Sequence, residues 1–309
     1  MRLTDDEELR EILGALFPGF YIDDTPAPSG QRVVYFGHFE GSKRAPQQSG
    51  WSKWGSVVLK VSAGLSAQTI AYLQREVAAL RSINSRSFPK LYMENLFTQN
   101  PETEEDLKPK LYITIEEKLN ANPLTEERAR FNSEGEIAAF LSETIKSLKL
   151  LWLHKNKYVH RDLKPANILV RQDGGISIID LGIIRESGEK GLTITNMMHG
   201  PCTPCYASPE QVKNDKLNIS FRSDLFSLGV IGYELATGRN PFYEEDMSAE
   251  DVFSSILTHQ QPPLAEVAQY SSRFSDLIDR LLGKEPYQRY RQVELVETEL
   301  NKIIEELGD

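Results

Sequence analysis

Apolar positions recur along this chain with two different periods. Near the start, Leu9, Ile12, Leu13 and Leu16 stand at i, i+3, i+4 and i+7, the stripe of an amphipathic helix. Thr4 and Glu7 have capping-box spacing ahead of it, and Pro18-Gly19 stops it. Strand-like runs follow at Phe20-Tyr21-Ile22, Val33–Phe39 and Val57-Val58-Leu59-Lys60-Val61. The polar, Gly/Ser/Lys-rich insertion 41–56 is longer than a usual hairpin turn and carries Trp51 and Trp54. Their rings either pack back on the sheet or mark an interaction surface. Ile70, Leu73, Val77 and Leu80 form the next helical stripe. Lys90–Leu96 and Lys110–Ile115 read as further strands on either side of an acidic loop, Pro101–Asp106.

The second half reads differently. Ser133–His154 is a long amphipathic helix, and Ser223–Ala236 is apolar nearly all round, as a buried helix must be. Gly238 is its C-terminal stop, and three further helical patterns follow, the last over 292–307. Between the two long helices lies a hairpin pattern. Ile168-Leu169-Val170 and Ile176–Ile179 flank the tight-turn signal Asp173-Gly174-Gly175.

Length and charge narrow the classes. A chain of 309 residues suits one large domain or a two-lobed one. The net charge of −10 does not favour nucleic acid or an anionic membrane surface. No apolar run approaches the ~18–20 residues of a membrane span. The acidic N-terminus does not read as a signal peptide, and two cysteines cannot build a disulfide framework. A soluble, cytoplasmic protein is expected.

The richest chemistry lies in Tyr158–Gly182. An apolar pair enters a polar loop holding a carboxylate (Asp162), an ammonium (Lys164) and an amide (Asn167). The hairpin then delivers a second carboxylate, Asp180. One carboxylate can accept a hydroxyl proton, while the amide and the other carboxylate offer the hard oxygens that Mg²⁺ needs. Upstream, Lys60 lies inside an apolar strand, where an ammonium needs a partner; Glu76 borders the inward face of the next helix and is the expected one.

His160-Arg161-Asp162-Leu163-Lys164-Pro165-Ala166-Asn167 resembles the catalytic loop of protein kinases, and Asp180-Leu181-Gly182 resembles their metal-binding Asp motif. Lys164 before Pro165 resembles the serine/threonine branch. The resemblance covers roughly residues 20–308. It implies an α+β, bilobal fold: a helical extension over 1–19, a small sheet lobe over 20–118 and a mainly helical lobe over 119–309. It further implies ATP and Mg²⁺ as cofactors and a protein substrate, and says nothing of oligomeric state. In this family's terms Asp162, Lys164 and Thr203 are the catalytic set, and Asn167 and Asp180 hold metal. Lys60, Glu76, Gly30 and Val34 serve the nucleotide, with backbone groups around Glu116–Lys118 on the base and Ile115 beside it. Glu210 of Ser208-Pro209-Glu210 is expected to pair with Arg289, and Asp224 to bond the catalytic-loop backbone. Autophosphorylation is expected on Thr193 or Thr195, with Arg161 and Arg185 gripping the phosphate.

The sequence departs from the family pattern at the Gly-rich loop. Ala27, Ser29 and Arg32 stand at the usual glycine positions, with Gly30 the one glycine between them. Arg32 either points to solvent or grips phosphate in place of lost backbone contacts. This departure keeps open a pseudokinase, acting as a scaffold or nucleotide-dependent switch. A small-molecule kinase is a further alternative. Cys202 and Cys205 flank Thr203 as Cys-x-x-Cys and read as free thiols, a redox switch or a partial metal site.

Overall fold

The computed structural model describes residues 3–25, 32–40, 50–187 and 203–308. The chain divides into two compact units, Met1–Ser85 with Pro89–Asn120, and Arg86–Phe88 with Ala121–Asp309.

The first unit is a sheet covered on both faces. Its elements are α1 (Glu7–Leu16), β1 (Phe20–Asp24), β2 (Arg32–Phe39), β3 (Ser56–Ser62), α2 (Ala67–Ser82), β4 (Leu91–Gln99) and β5 (Asp106–Glu117). The strands form one antiparallel sheet in the order β1-β2-β3-β5-β4. Side chains alternate across it, so odd positions of β2, β3 and β5 share one face. Val33, Tyr35, Val57, Leu59, Val61, Ile113 and Ile115 pack there against Leu9, Leu13 and Leu16 of α1. The helix is capped by Asp6, which accepts from the Leu9 N–H, rather than by the expected Thr4, whose hydroxyl donates to Asp6. Asp5 ties the cap to the sheet by accepting from Tyr35 Oη at 2.7 Å. Trp51 and Trp54 pack back on the unit: Trp54 stacks on Tyr92, and Trp51 meets Phe39 edge-on. β5 begins earlier and ends later than its apolar core suggests, because Leu107 at one end and Glu116 at the other are both buried.

On the opposite face, α2 lays Leu73 and Val77 on Tyr112. Lys60 lies opposite Val34 on one neighbouring strand and Thr114 on the other, so all three share this α2 face with Arg32 and Glu116.

The second unit is mainly helical. It comprises β6 (Ala121–Pro123), α3 (Leu124–Glu127), α4 (Glu134–Trp152), β7 (Tyr158–Val159), β8 (Ile168–Arg171), β9 (Ile176–Ile178), β10 (Arg185–Glu186), α5 (Pro209–Val212) and α6 (Phe221–Thr237). The chain then runs through α7 (Ala249–Thr258), α8 (Leu264–Val267), α9 (Ser272–Leu281) and α10 (Val293–Gly308). Four helices thus follow α6 where the sequence suggests three, α8 being a single turn too short for a periodic signal. Ser133 and Glu136 form the reciprocal capping box of α4. Residues 223–233 of α6 are buried without a gap, which accounts for its all-round apolar pattern. Gly229 and Gly232 let it approach α9: an added Cβ would stand 2.8 Å from Leu281 and 2.7 Å from Ile278. Gly238 closes α6 at φ 74°, a left-handed turn that glycine adopts without strain.

Candidate active site

In the second unit, α4 and α6 position the polar loop after β7. Asp224 of α6 is fully buried, and its carboxylate accepts from the backbone N–H groups of His160 and Arg161, both at 2.9 Å, and from Trp152 Nε1 at 2.7 Å. Burial pushes its carboxyl up, while His160 and these donors hold it down. Gln211 of α5 donates to the Arg161 carbonyl at 2.7 Å. Arg161 is thereby held at φ 72°, a costly conformation for a non-glycine residue. Asp180 has φ 63°, and two such residues bracket the hairpin.

The loop delivers three groups to one point. Thr203 donates to Asp162 Oδ1 through both its N–H (3.0 Å) and its hydroxyl (2.6 Å). Lys164 Nζ lies 3.1 Å from Asp162 Oδ2 and donates to the Thr203 hydroxyl at 3.1 Å. Asn167 Nδ2 donates to the Asp162 carbonyl at 2.9 Å and to Oδ2 at 3.3 Å. Burial pushes the Asp162 carboxyl up, but the Thr203 hydrogen bond and the Lys164 ammonium outweigh it, and the group is held below the usual carboxylate range. The carboxyl is thereby favoured in its ionised form.

Asn167 and Asp180 are brought together through the backbone. Ile179, directly before Asp180, donates to the Asn167 carbonyl at 3.0 Å. The Asn167 amide nitrogen is used on Asp162, which leaves its amide oxygen for a cation. No cluster of three or more His, Cys, Asp or Glu side chains among the described residues is arranged to hold a metal. One amide oxygen and one carboxylate fit Mg²⁺, which keeps several waters and takes substrate phosphates as its other ligands.

Supporting elements lie below the loop. Glu210 and Arg289 form a bidentate pair at 2.7 and 3.0 Å with side-chain exposures of 3% and 0%. Ser223 adds a hydrogen bond to the same carboxylate at 2.7 Å. Arg161 donates to the Ile183 carbonyl, and Arg185, also buried, donates to that of Lys216.

In the first unit, Lys60 and Glu76 form the expected ion pair, at 3.7 Å, beyond hydrogen-bonding distance. Lys60 Nζ donates to Glu116 Oε2 at 2.8 Å. Arg32 takes Glu76 with both guanidinium branches, at 3.2 and 2.6 Å. Arg32 is therefore paired with Glu76 and does not simply point to solvent. The expectation for Glu116–Lys118 also changes. β5 continues through Glu117, so the Glu117 N–H donates to Lys90 (2.8 Å) and the Lys118 N–H to Ser56 (3.1 Å), both inside the unit. Lys118 Nζ lies over the Phe36 ring at 4.5 Å. Ile115 faces α1, not Lys60, because strand alternation puts Thr114 and Glu116 on the Lys60 face. That alternation was the available signal: Tyr112, Thr114 and Glu116 share one parity with Lys60 opposite Thr114.

Gly30, Thr193, Thr195 and Cys202 lie outside the described residues. Cys205 is half-buried, and burial pushes its thiol up, away from thiolate.

Comparison with known proteins agrees with these constellations. Residues 56–300 match the model of the protein kinase domain. Over 175 residues the chain is 32% identical to a probable serine/threonine-protein kinase of Clostridium acetobutylicum, covering 57% of this chain and 24% of that protein. Over 156 residues it is 35% identical to the serine/threonine-protein kinase PknL of Mycobacterium tuberculosis, covering 50% and 38%. PknB of the same species is 31% identical over 150 residues, covering 48% and 24%. The chain thus spans 24% to 38% of the length of these relatives. No helix among the described residues is long and apolar enough to cross a membrane. With the kinase match extending over most of its length and the catalytic-loop residues assembled as described, the chain belongs to the protein kinase domain family.

Proposed function

We propose that this chain is an ATP-dependent serine/threonine protein kinase, transferring a phosphoryl group to a protein hydroxyl and autophosphorylating. The observation that carries the reading is Asp162: buried, kept ionised, and hydrogen-bonded to Thr203 beside Lys164. In this role Asp162 accepts the proton of the substrate hydroxyl and orients it. Lys164 meets the charge that develops on the transferred group. Asn167 and Asp180 would hold Mg²⁺, which would supply positive charge to neutralise the phosphates. Lys60 is the cation for the α- and β-phosphates, with Glu76 as its partner on α2. Catalysis on this account is positioning plus charge compensation. The serine/threonine names of the relatives and the Lys164-Pro165 pair support the choice of hydroxyl substrate. A cytoplasmic location is the matching proposal for a kinase using the ATP pool.

The test is incubation with ATP and Mg²⁺, alone and with a generic basic protein, followed by intact mass. Mass additions of about 80 Da, one per phosphoryl group transferred to Ser or Thr, are expected, accumulating ~10²–10⁴-fold more slowly in Asp162→Asn. Nucleotide binding with no transfer under any condition would instead favour the pseudokinase.

A further inference from the structure

The α2 face of the sheet holds four ionisable groups in one place: Arg32 from β2, Lys60 from β3, Glu116 from β5 and Glu76 from α2. Two are formally positive and two negative, so the cluster is neutral as a whole. Glu76 and Glu116 are almost wholly buried, at 1% and 3% exposure, and the side chains of Lys60 and Arg32 are 13% and 19% exposed. Carboxylates so placed need direct partners, since an unpaired buried charge is costly.

The pairing is unequal. Arg32 closes on both oxygens of Glu76 in the fork geometry that guanidinium and carboxylate share. Lys60 is left 3.7 Å from Glu76 and 2.8 Å from Glu116. Glu116 is itself fixed from the other side: Thr114 donates to its second oxygen at 3.3 Å. Burial pushes the Glu116 carboxyl up, Lys60 pulls it down, and Glu76 pushes it up again. One ammonium therefore lies hydrogen-bonded to an anion that belongs to the sheet.

We propose that Glu116 is an internal counter-anion that competes with nucleotide phosphate for Lys60, and that Arg32 sets this competition by drawing Glu76 away from the lysine. The inference rests on the reading of Lys60 as the phosphate-binding cation. It makes Glu116 an affinity-setting residue. A phosphate reaching Lys60 has to share the ammonium with a fixed carboxylate, or displace it. A nucleoside without phosphate meets no such competition.

Two probes separate phosphate from base: ADP and adenosine, their affinities measured by calorimetry. Glu116→Gln keeps shape and the acceptor for Lys60 while removing the charge. ADP affinity is expected to rise about five- to tenfold, the size of one modest competing charge interaction, with adenosine affinity unchanged. Glu116→Met, which removes the acceptor as well, is expected to tighten ADP in the same direction. Unchanged or weaker ADP binding in the folded variants overturns the proposal. So does an equal gain for adenosine, which would show an effect of shape and not of charge. Lys60→Met tests the underlying reading separately: if it leaves ADP affinity untouched, Lys60 does not bind phosphate at all. If Lys60→Met weakens ADP but Glu116→Gln fails to tighten it, the reading of Lys60 stands and the counter-anion is wrong. Loss of folding in both Glu116 variants would show that the sheet itself requires the carboxylate, and also counts against the proposal.

Discussion

Thr203 donates to the same carboxylate oxygen of Asp162 twice, through its backbone N–H at 3.0 Å and its hydroxyl at 2.6 Å. The hydroxyl in turn accepts from Lys164 at 3.1 Å. Thr203 holds one of the two Asp162 carboxylate oxygens, and Lys164 and Asn167 address the other.

Two variants divide the work of this contact. Asp162→Asn removes proton handling and is expected to lower phosphotransfer by ~10²–10⁴ with nucleotide affinity nearly intact. Thr203→Val keeps the backbone bond but deletes the hydroxyl that donates to Asp162. Because that hydrogen bond is the leading influence lowering the carboxyl, its loss moves the acidic limb of the rate profile to higher pH. An unchanged acidic limb in Thr203→Val would show that the hydroxyl does not tune the base.

The polar loop and hairpin were legible in the sequence because their spacing is local. Asp162, Lys164 and Asn167 lie within six positions, and the hairpin turn fixes Asp180 against them. The Glu210–Arg289 pair was legible by a different route, since a buried glutamate demands a cation and the family pattern supplies one. Around Lys60 the ion pair with Glu76 was legible, but the shorter bond to Glu116 was not. That bond depends on how far β5 runs and therefore on which parity faces α2, and element ends are weakly marked in sequence. Arg32 was open for the same reason: nothing local says that β2 begins at this residue and aims it at Glu76. The helix α1 was visible as an amphipathic stripe, but its partner was a sheet face assembled from three later strands.

Arg32 carries a stability prediction of its own. Arg32→Met leaves Glu76 with Lys60 at 3.7 Å as its remaining close cation. Losing one partner of a buried pair costs ~3–5 kcal/mol, and the partial exposure of Arg32 places this case near the lower end. Arg32→Lys keeps the charge, loses the fork, and is expected to cost less. Urea midpoints of the three proteins check the order; a methionine variant as stable as the parent would contradict it.

Glu210 and Arg289 should behave as one unit. Both are buried, and Arg289 also donates to the carbonyls of Gly283 and Arg222 at 2.8 Å each. Glu210→Gln and Arg289→Met are each expected to destabilise by ~3–5 kcal/mol, because each strands a buried charge. The double variant is expected to cost clearly less than their sum, with a coupling of ~1–3 kcal/mol in a double-mutant cycle. Strict additivity would mean that the two residues contribute independently.

Lys284 provides the pH prediction. Its Nζ donates to the Ile256 carbonyl at 2.8 Å and lies 3.9 Å from the centre of the Phe242 ring. Burial, with a lesser contribution from the neighbouring Arg289, pushes the ammonium down to about 8 from an ordinary value of 10.5. The sign follows from proton counting. Between about 8 and 10.5 the folded chain has released this proton while the unfolded chain still holds it. The unfolded state then binds more protons, so stability rises with pH across that window. Below about 8 both states are protonated, and the folded state bears the cost of a partly buried charge. Lys284→Met lacks this titration. The melting temperature of the parent relative to Lys284→Met is therefore expected to be flat up to about pH 8 and to climb from there towards pH 10. Measuring the pair, not the parent alone, cancels the other groups that titrate in the same range. A difference that stays constant across the window would place the Lys284 ammonium in an environment no less favourable than water.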